Sequence, residues 1–296
     1  MRRRWRGGNV VALAVLFLVA CGSARAESSV ERGSYLVNTI LACGSCHTPR
    51  DAGGGLISDQ ALSGGLTITT PAFVATAPNI TPDRDTGIGD WSDAEIKRAL
   101  VEGVRPDHGL LPGVPLAAVM PAAFYKALLP GDLDAIVAYL RTIKPLRHAV
   151  PDPQYKLPVH REPYPEAEKG FRESEFSDAV RRGDYLVTIG HCMACHSTRS
   201  AGISDYRNGL GHGGREFVPD LIHGLGSKWR GTVAPNITAD PAAGIGTWTD
   251  GEIKQAIRQG IARDGRRLDP PMAFPFYAGL SDGDVGDIVA YLRTLK

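Results

Sequence analysis

Two short clusters bring thiols and an imidazole together, Cys43-Gly44-Ser45-Cys46-His47 and Cys192-Met193-Ala194-Cys195-His196. Both read C-x-x-C-H, and between them they use every cysteine except Cys21. Thiols three positions apart can each add to a vinyl group of one porphyrin, while the adjacent His meets a central iron from one face. The pattern therefore points to covalent haem attachment through Cys43, Cys46, Cys192 and Cys195, with His47 and His196 as iron ligands. Disulfide pairs, a zinc site or a thioredoxin-type redox motif would draw on the same residue types. Repetition of the motif, each time followed by the same downstream pattern, favours haem, and neither copy has the strand-to-helix context of a thioredoxin motif.

An iron held by one His has a second face to fill. The chain has four methionines: Met1 belongs to the leader, and Met193 lies inside a C-x-x-C-H, too near the ring edge to reach across. Met120 and Met272 remain, one per repeat, each just ahead of Pro and aromatic residues: Met120-Pro121-Ala122-Ala123-Phe124-Tyr125 and Met272-Ala273-Phe274-Pro275-Phe276-Tyr277. A lone Met is ordinarily core filler, but recurrence at the same place in both copies makes these two the expected sixth ligands. His/Met ligation raises the potential relative to bis-His and leaves a saturated iron, suited to electron transfer rather than substrate binding. His108, His148 and His160 are read as surface residues and His191 as lining a haem edge. His212 and His223 are the alternative ligands, in a Gly-rich stretch of the second copy eight residues longer than its counterpart.

The elements that must hold these groups repeat as well. Residues near 31–142 align with residues near 181–294. Arg32-Gly33-Ser34-Tyr35-Leu36-Val37 answers Arg182-Gly183-Asp184-Tyr185-Leu186-Val187, and Ala77-Pro78-Asn79-Ile80-Thr81 answers Ala234-Pro235-Asn236-Ile237-Thr238. Gly87-Ile88-Gly89-Asp90-Trp91-Ser92 matches Gly244-Ile245-Gly246-Thr247-Trp248-Thr249, after which Ser92 with Glu95 and Thr249 with Glu252 form capping boxes that open helices. Each copy closes on a helix with apolar residues at i, i+3, i+4 and i+7: Leu133, Ile136, Val137, Leu140, then Val285, Ile288, Val289, Leu292. The expectation is an all-α chain of two tandem domains, residues 27–144 and 178–296, each wrapped around a cofactor that completes its core. Between them residues 145–177 are Pro-rich with little periodicity, a connector that either swings or lies clamped along the surface.

At 296 residues and 43% apolar the chain is long enough for two domains. Residues 1–26 read as a signal peptide, with a basic start and an apolar run, Val10 to Ala20, too short to span a bilayer. Leu18-Val19-Ala20-Cys21 resembles a lipoprotein box and Ala24-Arg25-Ala26 an ordinary cleavage site, so Cys21 is either a lipid anchor or lost. Export would place the protein in the periplasm, anchored to a membrane in the first case. Removing the leader takes away five Arg and no acid, turning a formal charge of +1 into −4. That argues against nucleic-acid partners and suits docking onto a basic or mixed protein surface.

Taken together, these motifs resemble the multihaem cytochrome c subunits of bacterial membrane-associated alcohol and gluconate dehydrogenases. The resemblance implies class I cytochrome c folds, two covalently bound haem c groups and His/Met iron. It also implies a subunit that takes electrons from a dehydrogenase and passes them to quinone, a cytochrome or a terminal oxidase. Asn79, Trp91, Asn236 and Trp248 would then lie in the haem surroundings, or the two Trp would be plain packing. The chain departs from the pattern twice. Those subunits commonly carry three haems. The first motif is followed by Thr48-Pro49, whose proline carbonyl could orient the ligand imidazole, and the second by Ser197-Thr198, so the two irons are expected to differ in potential. The competing function is a catalytic di-haem cytochrome, of peroxidase or thiosulfate-oxidising type, with one open iron.

Overall fold

The computed structural model describes residue 1, residues 27–106 and residues 114–296. The leader with Cys21, and His108, lie outside the described residues.

Each copy is organised around a pair of crossing helices. In the first, α1 (Ser29–Asn38) opens on a capping box between Ser28 and Glu31. The motif helix α2 (Gly44–His47), then α3 (Asp93–Val101), α4 (Ala122–Tyr125) and the closing helix α5 (Pro130–Thr142) follow. The connector contributes α6 (Pro165–Lys169). The second copy repeats the series as α7 (Ala179–Ile189), α8 (Cys192–His196), α9 (Asp250–Gln259), α10 (Phe274–Tyr277) and α11 (Asp282–Leu292). Both expected capping boxes are present, Ser92/Glu95 on α3 and Thr249/Glu252 on α9.

The glycine shared by both opening helices sets the crossing. A Cβ on Gly33 would lie 1.9 Å from the carbonyl oxygen of Ala135 on α5, and one on Gly183 would lie 1.9 Å from that of Asp287 on α11. Only glycine allows backbones to approach this closely. Against these pairs the closing helices bury Ile136, Val137 and Leu140, and Val285, Ile288, Val289 and Leu292.

The all-α expectation needs correction. Ten short strands occur among the described residues, and four of them form an antiparallel sheet in the order β5-β2-β1-β9. These are β1 (Thr67–Thr69) and β2 (Phe73–Thr76) of the first copy, β5 (Gln154–Tyr155) of the connector and β9 (Ile222–His223) of the insert. Thr67 pairs with both Thr76 and His223, and Phe73 with Tyr155. The remaining strands are two-residue pairs: β3 (Val104–Arg105) with β4 (Val114–Pro115), β6 (Arg199–Ser200) with β7 (Ile203–Ser204), and β8 (Glu216–Phe217) with β10 (Thr232–Val233). The β-branched run Thr67-Ile68-Thr69-Thr70 carries the local preference. One of its two backbone partners, β9, comes from distant chain, which a local reading misses.

The connector lies clamped along the molecule. Tyr164 is 1% exposed and stacks on Phe124 at 4.5 Å, with Tyr206 of the second copy edge-on at 5.1 Å. Leu146 accepts a hydrogen bond from the Asn79 amide, and Phe171 and Phe176 flank Tyr185. The copies also bond to each other: the Tyr35 hydroxyl donates to Asp284, and the Tyr185 hydroxyl donates to Asp132 at 2.5 Å. Each of these buried aspartates is ion-paired within its own copy, Asp132 to Arg32 at 2.8 Å and Asp284 to Arg182. The largest buried apolar cluster accordingly runs through both copies rather than forming two separate cores.

Candidate haem sites

Both motif helices start from the same backbone device. The residue before the first cysteine, Ala42 in one copy and His191 in the other, has a left-handed conformation, with φ of 46° and 45°. Neither is glycine, so each conformation is held at some cost by the surrounding fold. It turns the chain sharply from the opening helix into α2 or α8.

The motif imidazoles are buried and oriented. Nδ1 of His47 donates to the Pro78 carbonyl at 2.7 Å, and Nδ1 of His196 to the Pro235 carbonyl at 2.8 Å. A carbonyl only accepts, so the proton sits on Nδ1 and the Nε2 lone pair is left for a metal. Burial lowers both pKa values, with the carbonyl contact opposing, which favours the neutral form a metal requires. The orienting carbonyls thus come from the two A-P-N-I-T segments and not from Pro49. The contrast between Thr48-Pro49 and Ser197-Thr198 therefore gives no difference in imidazole orientation.

Cys43, Cys46, Cys192 and Cys195 are free thiols. Burial, then the neighbouring motif thiol, pushes Cys43 and Cys192 up to about 12, which favours the protonated thiol. Among the described residues no group of three or more His, Cys, Asp or Glu converges as a metal cluster. Paired thiols beside an oriented imidazole with a free Nε2 form a donor set that fits covalent haem, whereas a zinc site would need a further converging ligand that the described residues do not provide.

The two motifs lie close together. Burial raises the Cys195 pKa, Arg215 pulls against it, and Cys46 of the other motif adds to the rise. A Cβ on Gly44 would come within 2.8 Å of the Phe276 ring of the second copy. Each motif also has an arginine against it: Arg50 donates to Ser45 O at 3.0 Å, and Arg215 to Ala194 O at 2.6 Å.

Met120 and Met272 are half-buried against the main core, each in the turn that leads into α4 or α10. Their loops are held differently. Arg161 of the connector donates to Met120 O at 2.5 Å and to Leu116 O at 3.1 Å, whereas Trp229 Nε1 of the insert donates to Pro270 O at 3.1 Å. Neither residue stood out in the sequence, because neither has a counterpart in the other copy.

The secondary candidates have other partners. The Asn79 side chain is spent on backbone and hydroxyls, accepting from Thr81 N at 2.9 Å and donating to Leu146 O and to Thr86 Oγ1. Asn236 likewise accepts from Thr238 N. Trp91 and Trp248 pack half-buried on the main core. His212 and His223 are exposed, with Nε2 at 2.9 Å from Lys296 O and 3.0 Å from Thr69 Oγ1 respectively. His148 is exposed but bound through Nδ1 to Ser63 O at 2.7 Å, and His160 is exposed. Burial lowers the His191 pKa to about 4, and its ring lies edge-on to Tyr125.

Comparison with known proteins agrees with this chemistry. The family model for cytochrome c matches residues 180–296. A diheme cytochrome c-type protein of Cereibacter sphaeroides is 31% identical over 262 residues, spanning 85% of this chain and 81% of its own length. The gluconate 2-dehydrogenase cytochrome c subunit of Pantoea cypripedii is 31% identical over 91% of this chain and 60% of its own length. For the alcohol dehydrogenase (quinone) cytochrome c subunit of Komagataeibacter europaeus the figures are 30%, 94% and 56%. The chain thus spans somewhat over half the length of these dehydrogenase subunits. On sequence and on the chemistry of its motifs alike, the chain belongs to the cytochrome c family, haem-binding proteins of electron transport.

Proposed function

We propose that the protein carries two haem c groups in tandem and transfers electrons between them. Cys43 and Cys46 hold one porphyrin by thioether bonds and Cys192 and Cys195 the other, with His47 and Met120 on the first iron and His196 and Met272 on the second. One observation carries the reading: a buried imidazole with its Nδ1 proton fixed on a proline carbonyl occurs twice, each time beside paired thiols. Haem bound there supplies a one-electron iron couple. The chain orients the ligands, keeps them neutral and packs them away from water, so little has to rearrange when the charge changes. The contact of Gly44 with Phe276 and the nearness of Cys46 to Cys195 favour a short path from one site to the other.

The names of the relatives support a dehydrogenase as electron donor; as acceptor we propose the respiratory chain, through quinone, a cytochrome or a terminal oxidase. We place the protein in the periplasm on the evidence of its leader, with lipidation of Cys21 as the route to a membrane. Among the described residues no helix is long and apolar enough to cross one.

The deciding experiment is an absorption spectrum of the mature protein, oxidised and reduced, with haem quantified per chain. Two low-spin haems, both showing the near-infrared charge-transfer band of Met-ligated ferric iron, are expected. A high-spin component or a one-haem band would overturn the carrier reading and favour a catalytic cytochrome with an open iron.

A further inference from the structure

We infer that each Met-bearing loop is set in place by a residue that the other copy does not repeat, one from the connector and one from the longer stretch of the second copy. Arg161 of the connector and Trp229 of the second copy's insert act as positioning residues for the iron ligands, an inference that rests on Met120 and Met272 being those ligands.

A thioether is a neutral, weak donor, so its hold on iron depends on how little freedom its loop loses on binding. Within the repeat each loop has modest support: Ala122 N donates to Met120 O at 2.8 Å, and Phe274 N to Met272 O at 3.0 Å. Arg161 adds two bonds from one rigid fork, spanning the loop from Leu116 to Met120. Its guanidinium lies over Gly103, where a Cβ would come within 2.4 Å of Nη2, so the strand before the loop is shaped to admit it. Burial pulls the Arg161 pKa down, with Tyr155 pulling against it. A partly buried cation whose donors are aimed at carbonyls is there to hold backbone.

Trp229 does the corresponding task by other means. Its ring packs on a small cluster of Leu66, Phe217, Ile222, Leu225 and Ala234, while its N–H holds Pro270 O, two residues before Met272. That cluster joins the second copy's longer stretch to the first copy, since Leu66 of the first copy packs in it with Phe217, Ile222 and Leu225. Each loop is thereby tied by a residue that the other copy does not repeat, and the ligand strengths of the two irons can be set independently.

The test uses the full-length haem-loaded protein and titrates imidazole against the near-infrared band of the ferric form. Arg161→Gln is expected to let imidazole displace the thioether from one haem at a concentration about ten-fold lower, with Arg161→Lys in between. Trp229→Phe should shift the other haem by about five-fold, the scale of one hydrogen bond. The double variant should shift both phases with two haems still attached. The inference is overturned if neither phase moves in the conservative variants Arg161→Lys and Trp229→Phe, if both variants move the same phase, or if each moves both. A parent protein without the band would instead refute Met ligation itself, which separates the two failures.

Discussion

In the first copy Arg141 reaches from α5 to Asp93 at 2.9 Å and to the carbonyls of Ile88 and Trp91; in the second Arg293 reaches from α11 to Asp250 at 2.8 Å and to those of Ile245 and Trp248. The left-handed residue before the motif, the proline carbonyl on the imidazole and the glycine at the helix crossing are repeated just as closely. Around the methionine loops the copies share only the sequence pattern. Where the orientation of a buried imidazole is at stake one solution serves both copies, whereas loop anchoring is met by whatever chain is nearby.

The shared part makes the strongest demand. Asp132→Ala would strand Arg32 of its own copy and Tyr185 of the other, and Asp284→Ala would strand Tyr35 and leave Arg182 with Asp287 at 3.2 Å. We expect each to cost up to about 3 kcal/mol, the lower end for a broken buried pair because the arginines are partly exposed. Chemical denaturation of the haem-loaded protein should show a loss in both, the smaller for Asp284→Ala because Asp287 still faces Arg182; no loss in either variant would break the equivalence of the copies.

Behind the motif histidines the copies should give opposite signs. Thr48 Oγ1 accepts from Leu62 N at 3.1 Å, while the Ser197 hydroxyl is buried with no partner. Thr48→Val would leave a buried N–H unpaired at a cost of about 1–2 kcal/mol, and Ser197→Ala should be neutral or stabilising. Denaturation midpoints decide it, and equal losses would contradict the difference.

The smallest separation is one of pH. Burial, then Glu166, raises the Asp184 pKa to about 6 against the pull of Arg181, and the first copy has Ser34 there. The folded state thus keeps a proton that the unfolded chain releases, so this group's contribution to stability falls as pH rises from about 4 to about 6. Asp184→Asn should flatten that part of the stability profile and Ser34→Ala should leave it unchanged. Superimposable profiles for the parent and Asp184→Asn would refute the assignment.

Much of the site was legible because it is local. The C-x-x-C-H motifs, both capping boxes and the periodic closing helices each lie within one or two turns of chain, and duplication marked Met120 and Met272. The strands were not, since β1 pairs with chain more than 150 residues away. The orienting prolines were visible in A-P-N-I-T, but which carbonyl meets His47 is a tertiary matter. Tyr35 and Tyr185 stood out as a repeated residue, yet nothing local says that each donates to the other copy. Arg161 lies in the connector and Trp229 in the longer stretch of the second copy, and no Trp stands in the corresponding stretch of the first, so comparing the copies does not find them.

The exchange between Tyr35 and Asp284 on one side and Tyr185 and Asp132 on the other is an isologous contact: each half offers the same donor and the same acceptor to its neighbour. In effect the molecule is a symmetric dimer joined into one chain. The clamped connector turns what would be an encounter between two molecules into an intramolecular docking, so the register between the two motif sites does not depend on how dilute the protein is.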